Sequence, residues 1–107
     1  MSNFPAPLPV SRALTELARQ LTLARRRRRL TQESLAERMG VGLNTVRRLE
    51  NGAPGIALET LARALLVLGE LQRLERLLAP ETDALGLALA DEELPQRVRA
   101  RKAPAAL

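Results

Sequence analysis

The chain has 107 residues, with 17 basic and 12 acidic side chains and a net charge of +5, and it lacks histidine and cysteine. That length suits one small domain with tails. Without those two residue types there are no disulfides, thiolate nucleophiles, histidine bases, His–carboxylate triads or Cys/His zinc sites. No enzyme, metal or cofactor is expected. Met1–Val10 has neither a basic start nor an apolar stretch, so no signal peptide is read there. The longest apolar run, Ala64–Leu68, is far short of the ~20 residues a membrane span needs. A cytoplasmic protein with no membrane partner is expected.

Apolar residues make up 46% of the chain, yet Phe4 is its one aromatic residue. Leucine and alanine supply most of the rest and favour helices, while strand formers are scarce, so the class is all-α. Charge is unevenly placed. Residues 12–48 carry ten arginines against three acids, residues 49–93 carry three arginines against nine acids, and residues 94–107 carry four cations and no acid. This separation suggests one face for a polyanion and another for something else.

In chain order, residues 1–10 read as an extended segment because Pro5, Pro7 and Pro9 alternate. Ser11 is the expected cap of a first helix reaching Arg28 or Arg29, with Leu14, Leu17, Ala18 and Leu21 on one stripe. Thr31 caps a second helix, with Glu33 in its first turn and Leu35, Ala36 and Met39 facing inward. Gly40 ends it. A third helix is expected over Leu43–Glu50, burying Val46 and Leu49 and closed by Asn51-Gly52. The fourth, about Ala57 to Leu68, puts Leu58, Leu61, Ala62, Leu65 and Leu68 on one face. The fifth follows Gly69, with Leu71, Leu74, Leu77 and Leu78 apolar, and Pro80 stops it. Residues 11–79 thus read as one five-helix domain. Residues 80–107 read as a C-terminal tail, partly disordered or partner-binding, with a small apolar patch at Ala84–Ala90, acids at Asp91-Glu92-Glu93 and a basic end.

Two short helices joined by a tight glycine-containing turn must cross steeply, with small Ala36 at the contact and Val41, Val46 and Leu49 filling the angle. That is helix-turn-helix geometry, in which the second helix enters the major groove by its N-terminal end. The pattern L-T-Q-x-x-L-A-x-x-x-G-V from Leu30, then T-V at Thr45-Val46 and L-E-N-G from Leu49, closely resembles the Xre-type, phage-repressor-like family. The resemblance covers roughly Leu14 to Leu68. It implies a phage-repressor-like fold and a homodimer that binds double-stranded DNA at a palindromic operator, with half-site centres ~34 Å apart, acting as a repressor.

By the same resemblance, Gln32 touches a phosphate and braces the recognition helix. Gly42, Leu43 and Asn44 occupy the tip facing the bases, Thr45 and Arg48 share that approach, and Asn51 reaches the backbone. Arg25 pairs with Glu50. Two departures stand out: Gly42 where Ser or Thr is usual, and Leu43 where a polar reader is common. Hydrogen-bonded readout then falls on Asn44, which suits adenine, and on Arg48 or Arg47, which suit guanine.

Several features admit more than one reading. The run Arg25–Arg29 is either a phosphate grip or a solvated helix end, where cations are favoured. The leucines of the fifth helix form a dimer interface or close the monomer's core. Arg97 to Lys102 can add DNA affinity, fold onto a partner or remain solvated. Asp91, Glu92 and Glu93 read as a solvated acidic linker rather than a metal site. A stand-alone domain of this family with a short charged tail also resembles antitoxins of toxin–antitoxin pairs, including those whose toxin is a Hip-type kinase, so a toxin partner is the alternative.

Overall fold

The structure, a computed structural model, describes residues 4–92, and every regular element among them is helical. They form α1 (Leu8–Arg27), α2 (Gln32–Met39), α3 (Leu43–Glu50), α4 (Leu58–Leu68), α5 (Leu71–Glu75), a 3-10 turn (Pro80–Thr82) and α6 (Ala84–Glu92). The chain divides into two compact units, Met1–Leu74 and Glu75–Leu107.

In the first unit, α1 begins at Leu8, so Ser11 is not its cap and Leu8–Val10 are helical rather than extended. Proline explains the difference. Pro9 falls in the first turn, where a backbone N–H would have no helical partner in any case. The Pro7 carbonyl accepts from the N–H groups of Val10 and Ser11, at 3.0 and 3.1 Å. α2 and α3 match expectation in extent. The Thr31 side chain accepts from the Ser34 N–H, and Gly40 closes α2 in the left-handed conformation, with φ 76°.

The core gathers Leu21 from α1, Leu35, Ala36 and Met39 from α2, Val46 and Leu49 from α3, and Ala64 and Leu68 from α4. Leu35 and Val46 are 1% and 0% exposed. Burying each such side chain contributes about 1.5–3 kcal/mol. On α4 the inward stripe is Leu61, Ala64, Leu65 and Leu68, and Leu58 stands 69% exposed, contrary to expectation. Leu58 opens the helix, one turn above the packed stripe. Gly52 lets α3 end against α1: with φ 70° it sits where a Cβ would meet the Thr15 backbone at 3.5 Å and Ala18 at 3.7 Å.

The second unit differs most from expectation. α5 stops at Glu75, and Leu77 and Leu78 lie in the following turn, 70% and 81% exposed. Ala84–Ala90, expected in a tail, belongs to α6. Asp83 starts that helix, its carboxylate accepting from the Gly86 N–H at 2.9 Å. Leu85, Leu87 and Leu89 are all exposed. The basic end, Arg97 to Lys102, lies outside the described residues.

Candidate nucleic-acid interface

α3 packs on α2 and α1 by Val46 and Leu49, which determines what its other side presents. Asn44, Arg47, Arg48 and Asn51, spaced i, i+3, i+4 and i+7, are all exposed and share one face. Arg47 has no side-chain partner among the described residues. Arg48 donates from Nη2 to the Pro54 carbonyl at 3.3 Å, leaning toward the loop after α3. Asn51 caps the helix end, its N–H donating to the carbonyls of Arg47 and Arg48.

At the other end, Gly42 is the cap residue, with φ −75° and ψ 157° and no side chain to bond the helix. Its carbonyl accepts from Thr45 N–H at 3.0 Å, and open space surrounds the position a Cβ would take. Leu43 and Thr45 are half-buried. Of the tip residues, then, Asn44 alone offers an exposed polar side chain.

A buried charge pair holds α3 in place. Arg25 donates from Nε to Glu50 Oε2 at 2.6 Å and from Nη2 to Oε1 at 3.0 Å, while its Nη1 reaches the Leu30 carbonyl at 2.8 Å. Gln32, the first residue of α2, donates from Nε2 to Glu50 Oε1 at 2.9 Å. The Arg25 and Glu50 side chains are 9% and 3% exposed. Burial alone would raise the Glu50 carboxyl's pKa, but the hydrogen bonds from Arg25 and Gln32, with the Arg25 charge and Thr22, hold it below the usual range. One carboxylate thus ties the end of α3 to α1 and to the start of α2. The pairing of Arg25 with Glu50 is as expected. Gln32 is joined to the end of α3 through Glu50.

Gln32 and Asn51 line one polar groove, with Arg26 and Glu33 on its sides. Two further arginines serve as struts that residue spacing does not single out. Arg63 on α4 donates to the Met39 carbonyl at 2.9 Å, closing the end of α2, and Arg28 donates to the Leu68 carbonyl at 3.0 Å, closing the end of α4. The general preference of cations for helix C-termini is the only signal for either.

Among the described residues, no helix is long and apolar enough to cross a membrane, and no group of acids is placed to hold a metal ion. No curated protein matches the chain. The helix-turn-helix family matches residues 21–77, more than half of the sequence and the whole of α2, the turn and α3. The chain belongs to the helix-turn-helix family of DNA-binding transcriptional regulators.

Proposed function

We propose that this regulator is a sequence-specific repressor that binds a palindromic operator as a cytoplasmic homodimer. The observation that carries the reading is the outward face of α3, where Asn44, Arg47, Arg48 and Asn51 stand together on a helix clamped by Arg25, Glu50 and Gln32. A helix presented in this way can enter the major groove N-terminus first. Asn44 then reads adenine and Arg47 or Arg48 reads guanine, while Gly42 admits close approach and Leu43 contacts a thymine methyl or sugar. Thr45 supports the same approach. Gln32 and Asn51 position the backbone, as amide side chains do.

Homodimerisation is supported by the exposed leucines of the second unit, Leu77, Leu78, Leu85, Leu87 and Leu89, which a second copy could cover. The same leucines stand among Glu75, Glu81, Asp83 and Asp91, and this acidic, apolar character favours a second reading, in which the unit holds a basic toxin. Selection of duplexes from a random library tests the first reading: enrichment of an inverted repeat is expected. If no duplex is enriched while a neighbouring gene product binds tightly, the antitoxin reading replaces it.

A further inference from the structure

Five consecutive arginines, Arg25–Arg29, close α1, and the structure gives them different surroundings. Arg25 is buried on Glu50. Arg28 is held by the carbonyls of Leu68 and Ala24, at 3.0 and 2.8 Å, with Glu70 3.6 Å from Nη2. These two are struts. Arg26, Arg27 and Arg29 are exposed, and their guanidinium groups have no partner among the described residues.

Neighbouring helical positions point about 100° apart. Accordingly, Arg26 lines the polar groove of about 480 Å³ that also contains Gln32 and Asn51. Arg27 lines a different groove, with Glu70 and Arg73 over an apolar floor. Arg29 is distinguished by its backbone. It has φ 58°, in the left-handed region. α2, α3 and α4 close with the same hydrogen-bond pattern, but there the left-handed residues are Gly40, Gly52 and Gly69. An arginine is strained where glycine is not. A strained residue whose side chain has no partner within the chain points to a role outside it.

We propose that Arg26 and Arg29 grip backbone phosphates of duplex DNA on the α1 side of the recognition helix, and that Arg27 makes no DNA contact. The inference rests on the DNA-binding reading above. A guanidinium presents paired donors that match phosphate oxygens. Of the two carboxylates in the Arg26 groove, Glu50 is already neutralised by Arg25, which leaves Glu33 as the group that opposes the anion.

The test is fluorescence anisotropy across a salt series, on a duplex enriched by the wild-type protein from a random library. Arg26→Ala and Arg29→Gly are each expected to weaken binding several-fold and to reduce the slope of log affinity against log salt by about 0.9. Glu33→Gln strengthens binding, and Arg27→Ala leaves the slope unchanged. The melting midpoint of Arg29→Gly is expected to hold or rise, which separates lost contact from lost fold. An equal loss from Arg26→Ala and Arg27→Ala, or wild-type slopes throughout, overturns the proposal. A wild-type protein that enriches no duplex overturns the DNA-binding reading itself and this inference with it.

Discussion

Glu50 is charged in a place where water hardly reaches it, so its ionisation depends on Arg25 and Gln32. Removing either member of the buried pair leaves the other uncompensated, and Arg25→Ala or Glu50→Ala is expected to cost about 3–5 kcal/mol in denaturant unfolding. Acid adds a second consequence. The folded-state pKa of Glu50 lies below its unfolded value of about 4.3, so this stabilisation is fully present above that value and is lost as pH falls through the folded pKa. The melting midpoint should hold from neutral pH to about 5 and then drop. In Glu50→Gln, less stable at neutral pH, the acid limb should be shallower; parallel limbs would mean that Glu50 does not titrate on unfolding. At the interface, Asn44→Ala should cost about 1–3 kcal/mol on the best duplex and relax specificity at one position. Arg48→Ala does the same if it reads a base. A uniform loss over all sequences would move Arg48, already inclined toward Pro54, to the backbone. Arg25 and Glu50 were legible as a pair because they belong to a recurring pattern. Arg28 and Arg63 were not, since a side chain bonded to a distant backbone carbonyl leaves no residue-type partner to find.

Helix boundaries follow local chemistry closely where a side-chain cap or a left-handed glycine is present. Thr31 and Gly40 bracket α2, and Asn51-Gly52 closes α3. They follow it less well where proline acts as a starter rather than a breaker, as in α1. α6 was harder still: Leu85, Leu87 and Leu89 alternate with small residues, so no single apolar stripe marks a helix. Two glycines give opposite expectations. Gly42 has an ordinary φ and open space around it, so Gly42→Ser should add a cap hydrogen bond and stiffen the unfolded chain, raising stability by about 0.5–1 kcal/mol. Gly52 is left-handed, so Gly52→Ala should cost about 1–2 kcal/mol. Calorimetry on both variants checks the pair. If Gly42→Ser were the destabilising change, the start of α3 described here would be wrong.

At the scale of the whole molecule, charge is unevenly divided along the sequence. Residues 12–48, which include α3, carry ten arginines against three acids, while residues 75–93 carry six acids against one arginine and expose five leucines. The proposed homodimer predicts that Leu77→Asp combined with Leu78→Asp shifts sedimentation toward monomer and leaves the melting of the first unit intact. An unchanged dimer would place the interface elsewhere. Composition made the all-α class legible, and the Leu30–Gly52 pattern did the same for the DNA-binding segment. Neither decided whether Leu77 and Leu78 are buried or exposed, because a leucine stripe reads alike whether it closes a core or awaits a partner.

The most direct test of sequence-specific binding is fluorescence anisotropy on duplex from upstream of the protein's own gene, with a shuffled duplex beside it, in about 0.15 M salt and across a salt series. Binding to the native duplex tighter by ~10³ or more, with a steep salt slope, is the expected result. Equal, weak, salt-sensitive binding to both duplexes would contradict it.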